Sequence, residues 1–247
     1  MPTSSTRFAA STRVVLRGLP PAPRDSDPVA TRRAVVRVGL PIGLQLFAEV
    51  AAFALAAVLA GRLGQVPAAA HQVAIQLSSV PFAISLGLGA AAATRVGRAV
   101  GAGDHAWARR AAVVALGLGA LVMSSSALVF VLAPAALAAG FGDGPEVAAT
   151  AATLIQIAAV FQLSDGAQAI AAGALRGAGD TRAAFVANVI GHYAVGLPIA
   201  LVAGFALDRG APGLWWGLTA GLTGTAIVLV ARLAWLTARP IARTADH

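Results

Sequence analysis

Six long apolar stretches, nearly free of charged side chains, decide what this chain can fold into. They lie at about 34–60, 66–93, 107–134, 146–174, 182–207 and 213–237. Each is near or above the roughly 20 residues that a helix needs to cross a bilayer core. Of the 247 residues, 58% are hydrophobic and only 11% charged, and the mean hydropathy is +0.78. A soluble domain carries about 25% charged residues, because a compact body must show polar surface to water. This chain cannot cover itself that way, so its apolar side chains face lipid. Disorder is excluded for the opposite reason, since it requires low hydrophobicity. The 27 glycines and 13 prolines fit membrane helices, which tolerate both through close packing and rehealed kinks. The sequence therefore predicts an all-α integral membrane protein built as a bundle of six transmembrane helices.

Outside the bundle, 1–33 read as a basic, Pro-containing tail or linker and 240–247 as a second tail, leaving 34–239 for the helical body. Arg7, Arg13 and Arg17 interrupt any signal-peptide core in the first segment. A short basic amphipathic helix over 8–19, lying on a membrane surface, competes there with a plain solvated tail. Pro67 falls at a helix start, where its missing N–H is harmless, whereas Pro81 and Pro198 fall inside spans and should kink them.

The net charge of +8 raises nucleic acid as a partner, and its placement argues against it. Every basic residue is Arg, and sixteen of the eighteen fall on one face of the expected topology, against Arg62 and Arg209 on the other. That asymmetry is the positive-inside pattern of a multi-pass protein. It places both termini in the cytoplasm and the chain in the inner (plasma) membrane. The partners expected are the lipid bilayer and small molecules, with no nucleic acid. Absence of cysteine excludes disulfides, iron–sulfur clusters, thiolate zinc sites and a cysteine nucleophile.

Eight of the ten acids fall in tails, loops or span ends, which isolates Glu49 and Asp165 inside apolar spans. A carboxylate at mid-membrane costs at least about 2.5–3.5 kcal/mol, so such residues usually face a bundle interior and mark ion or proton pathways. Burial disfavours the charged form, which suits a carboxyl to take up or release a proton. Polar neighbours share their faces at helical spacing. Gln45 stands one turn before Glu49; Gln162 and Gln168 flank Asp165; His71, Gln72 and Gln76 open span two; Asn188, His192 and Tyr193 lie on span five. Together they predict a hydrated cavity, although single amides in membrane helices also serve as interhelical glue.

Enzymatic readings find little here. The tetrapeptide GAGD occurs at 101–104 and 177–180 and matches the Gly-x-Gly-Asp signature of intramembrane aspartyl proteases. Such catalysis needs two carboxyls at membrane depth sharing a proton. These two aspartates sit among arginines, where a glycine helix stop followed by an Asp N-cap explains them. Phosphate-loop, nucleophile-elbow and His-Glu-x-x-His motifs are absent from the sequence. The chain is not expected to be an enzyme, nor to carry a cofactor.

The stretches VGLPIGLQLFAEVAAFALAAVLAGRLG and AAAHQVAIQLSSVPFAISLGLGAAAATRVGRAVGAGD resemble the seventh and eighth helices and following loop of multidrug and toxic compound extrusion (MATE) transporters. FQLSDGAQAIAAGALRGAGDTR and VGLPIALVAGFALDRGAPGLWWGLTAGL resemble their tenth to twelfth helices. The resemblance covers about 34–239 and implies the C-terminal six-helix lobe of a twelve-helix fold. It implies secondary active antiport, exporting organic, cationic, amphipathic compounds against H⁺ or Na⁺. Glu49 and Asp165 match the family's cation-coupling acids, and would be the metal ligands if the coupling ion is Na⁺. Gln72 matches a glutamine lining the drug cavity, and Gln45, Gln76, Phe161 and Gln162 join it as expected substrate contacts. Phe161 stands where many cation-coupled members have Tyr, and Phe82 lacks a hydroxyl that some place nearby, which tilts coupling toward protons. The resemblance further implies a second six-helix lobe as partner. A truncated reading frame and a half-transporter both fit the length, and a transport-inert accessory subunit or a lipid-precursor flippase are the alternative functions.

Overall fold

The computed structural model describes residues 28–142 and 144–238. The 8–19 segment, the C-terminal tail and Asp143 lie outside these residues. Two compact units divide the chain, Met1–Gly39 and Leu40–His247. Of the first, the described part is the opening of helix α1 (Pro28–Arg62), with Arg32, Arg33 and residues 35–39 exposed.

The second unit continues α1 and adds α2 (Gln65–Gly101), α3 (His105–Leu132), the short α4 (Pro134–Ala139), α5 (Pro145–Gly177), α6 (Thr181–Ala206) and α7 (Gly210–Thr237). Six of these are long and apolar enough to cross a membrane, and no strand occurs among the described residues. The expected six-helix all-α membrane fold is what forms. α5 and α7 bury about half of their apolar stretch and the other four a third or less. α5 and α7 thus form the centre, and the outer helices keep apolar faces such as Phe47, Val50, Val113 and Leu121 exposed, as lipid requires.

Close helix approach explains how α5 sits at the centre. Gly173 of α5 meets the Gly89 backbone of α2 so tightly that any Cβ there would overlap it. Small residues allow this in a membrane, where helices gain van der Waals packing rather than hydrophobic burial. One apolar cluster gathers Phe130, Leu154, Phe161 and Trp215, and a second gathers Val96, Leu175, Leu229 and Leu233 toward the arginine-rich end.

Both GAGD loops have one geometry. Asp104 N–H donates to Ala99 O and Gly103 N–H to Val100 O, and Asp180 and Gly179 repeat the pattern on Leu175 and Arg176. Gly103 (φ 73) and Gly179 (φ 87) take the left-handed conformation that closes a helix C-terminus. Each Asp then caps the next helix, Asp104 accepting from Trp107 N–H at 2.8 Å and Asp180 from Ala183 N–H at 3.3 Å. Asp180 also pairs with Arg232 Nε at 2.8 Å.

One expectation needs correction. Arg98 and Arg176 lie in the last turns of α2 and α5, and Arg95 one turn earlier on α2, rather than in the loops that follow the spans, because the Gly stop comes later and long arginine stems let charges reach the interface from inside a helix. The helix of α1 begins at Pro28, while its apolar, membrane-length part runs over Val35–Arg62, in line with the expected span from about 34. Pro81 sits within α2, which continues unbroken. Around Pro198, α6 widens into π-helical turns at Ile190–Gly196 and Val202–Ala206. A residue without an N–H is accommodated there by re-registering the backbone ladder.

Candidate functional site

Glu49 and Asp165 are both buried, and side chains of α5 and α6 bring the two acids into one polar pocket through Gln168 and Asn188, which reach Glu49. Glu49 is 8% exposed and Asp165 4%. Three helices supply the surroundings. Gln168, one turn beyond Asp165 on α5, donates from Nε2 to Glu49 Oε1 at 3.0 Å. Asn188 of α6 donates from Nδ2 to Glu49 Oε2 at 3.4 Å. Gln45, a turn before Glu49, is 2% exposed. Tyr193 holds α1 from α6, its hydroxyl donating to Ala48 O at 2.8 Å.

The oxygen inventory of this pocket is distinctive. Gln45 Oε1, Asp165 Oδ1, Gln168 Oε1 and Asn188 Oδ1 are buried without a hydrogen-bond partner among the described residues, as is Ser85 Oγ elsewhere on α2. A buried polar atom left alone costs about 1–3 kcal/mol. Several oxygens gathered beside two carboxyls therefore mark a place suited to protons, water or a hard cation, which prefers oxygen ligands. No group of three or more His, Asp or Glu side chains that could hold a metal ion occurs among the described residues, this pocket included.

The other candidate residues distribute around this pocket. Gln162 is fully buried and accepts from Ser126 Oγ of α3 at 3.1 Å. Phe161 belongs to an aromatic chain, with ring centroids 5.9 Å from Phe53 and 5.5 Å from Trp215. His71 faces that chain and accepts from Trp215 Nε1 at 3.2 Å on its Nδ1. His192 is buried against Asn188 O at 3.1 Å and stacks edge-on to Phe53. Gln72 and Gln76 do not enter the pocket; both are exposed on α2. Sequence reasoning had not found Ser85, Ser126 or Trp215, since a lone serine or tryptophan in an apolar span carries no periodic signal. Asp104 and Asp180 sit at helix starts rather than at membrane depth, and their carboxylates cap helices.

A family model described as MatE matches residues 41–202. The chain belongs to the MatE family. It is 42% identical over 213 residues to the multidrug resistance protein NorM of Burkholderia vietnamiensis, covering 84% of this chain and 46% of that protein. The probable multidrug resistance protein NorM of Pseudomonas putida is 41% identical over 212 residues, with the same coverage. Among solved structures, the eukaryotic MATE transporter AtDTX14 superposes with a TM-score of 0.75 at 26% identity, covering 81% of this chain and 45% of that one. A MOP superfamily transporter from Pyrococcus furiosus shares the fold at a TM-score of 0.74 and 19% identity. The MatE chain thus spans a little under half the length of the curated relatives it matches.

Proposed function

We propose that this MatE-family chain is the C-terminal membrane lobe of a cation-coupled exporter of organic, amphipathic cations. The observation that carries the reading is the burial of both Glu49 and Asp165 inside the bundle, with Gln168, one turn beyond Asp165, donating to Glu49. Two carboxylates in a dry site repel, and the repulsion is relieved by a proton, a bound Na⁺ or a cationic substrate. A site that accepts any of these, but not two together, exchanges one for another. That competition is the elementary requirement of antiport. The unpartnered amide oxygens beside the acids would complete the coordination of Na⁺, whereas the missing hydroxyl at Phe161 tilts the reading toward protons.

Coverage of just under half of the NorM proteins favours a second six-helix lobe as partner, with alternating access arising from rocking of one lobe against the other. Gln72 and Gln76 support this, because exposed amides on α2 are poorly served by lipid and well served by a polar cavity shared with another lobe. The arginine-rich helix ends face the cytoplasm of the inner membrane in this reading.

The test is ion-driven uptake of ethidium into everted membrane vesicles bearing the chain, alone and with a second six-helix lobe co-expressed. Asp165→Asn should abolish coupled uptake at unchanged membrane abundance, and Asp165→Glu should restore part of it. Uptake unaffected by Asp165→Asn would sink the assignment. Wild-type vesicles inert under both conditions would instead favour a transport-inert accessory role.

A further inference from the structure

A groove between α2 and α3, remote from the carboxyl pocket, has an amphipathic lining that nothing in the export reading uses. Its volume is about 340 Å³, and Arg95, Trp107 and Arg110 stand at its mouth while Leu88, Val114 and Leu118 line it further down. Leu88 to Arg95 spans about 10 Å along α2 and Arg110 to Leu118 about 12 Å along α3, at 1.5 Å per residue. Charge at the membrane boundary therefore passes to aliphatic wall within the depth separating a lipid headgroup from the upper acyl chain.

Neither arginine has an ion-pair partner among the described residues, where the salt bridge formed is Arg232–Asp180. Both are exposed, as are Arg98 and Arg109 at the same end. The nearest acid in sequence, Asp104, has its carboxylate engaged on Trp107 N–H at the start of α3. The Trp107 ring is 47% exposed, an amphipathic aromatic at the level where such rings anchor to the interface.

We infer that this groove binds one anionic phospholipid, its phosphate held by Arg95 and Arg110 and an acyl chain lying along Leu88, Val114 and Leu118. Guanidinium groups suit phosphate because their N–H donors engage two oxygens at once. Basic pockets between membrane helices on the cytoplasmic side are a recurring headgroup site. The apolar wall distinguishes the occupant from a soluble phosphate, which would gain nothing from Leu88 or Leu118. The inference rests on the six membrane spans alone and stands whether or not Glu49 and Asp165 couple transport.

Native mass spectrometry of the detergent-purified chain, titrated with phosphatidylglycerol or with phosphatidylcholine of the same chain length, tests it. Phosphatidylglycerol should be retained in preference, with one high-affinity adduct. Arg95→Gln combined with Arg110→Gln should weaken that adduct about 25-fold, from roughly fivefold for each arginine near a membrane surface. The matching Arg→Lys pair should keep most of the affinity. Glycerol 3-phosphate, which carries the charge without acyl chains, should not displace the lipid. Equal retention of the two lipids by the wild-type chain, retention unchanged in the Gln pair, or displacement by glycerol 3-phosphate would each overturn the assignment.

Discussion

Gln168 shows how much of the pocket depends on a single uncharged side chain. Its amide donates to Glu49 at 3.0 Å, and the remaining donor to that carboxyl, Asn188, is at 3.4 Å. Gln168→Leu should cost about 1–3 kcal/mol, the usual penalty for stranding a buried acceptor, read as a lowered unfolding midpoint in detergent. Gln76→Leu, on the exposed face of α2, should stay within about 0.5 kcal/mol; equal losses for the two would refute a special role for Gln168. At this scale the sequence was informative where charge is rare. Glu49 and Asp165 stand out in apolar spans, and Gln45, Gln162 and Gln168 follow from helical spacing. Spacing does not say which face turns inward, however. His71 is buried and its neighbour Gln72 exposed, since successive helical residues point about 100° apart. The approach of Asn188 to Glu49, across 139 residues, had no local signal at all.

The helices themselves were legible from apolar length, and the duplicated GAGD loops from their glycines and aspartates. Helix ends were less so, because arginine is a good helix former and α2 runs on through Arg95 and Arg98 to its Gly stop. The π-helical turns of α6 have no sequence mark beyond Pro198 and the glycines beside it. Packing between α2 and α5 supplies a prediction at this scale. Gly173→Val would push a side chain into the Gly89 backbone, whereas Gly117 of α3 has nothing within 4 Å of a Cβ. Overpacking of that kind typically costs about 1–3 kcal/mol or more. Gly173→Val should therefore lower the thermal midpoint of the purified protein clearly, and Gly117→Val should leave it nearly unchanged. Comparable midpoints for both variants would show that the close crossing of α2 and α5 does not hold the bundle.

For the whole molecule, direction in the membrane and exchange at the pocket are the two properties that make a transporter of a helix bundle. Because the chain contains no cysteine, single cysteines report sidedness without background. A membrane-impermeant maleimide applied outside intact cells should label Gln65→Cys and spare Ala102→Cys; the reverse pattern would invert the proposed topology. The arginine asymmetry was legible because insertion reads charge in short loops, whereas the pocket formed only when α1, α5 and α6 came together. Exchange is tested most directly by binding of tetraphenylphosphonium to the purified chain across pH and Na⁺ concentration. In the proposed exchange, protonation or Na⁺ occupancy would remove the negative charge that attracts this organic cation, so affinity should fall as pH drops or Na⁺ rises, and Asp165→Asn should flatten that dependence. The same dependence on pH and Na⁺ in Asp165→Asn as in the wild-type chain would contradict the account.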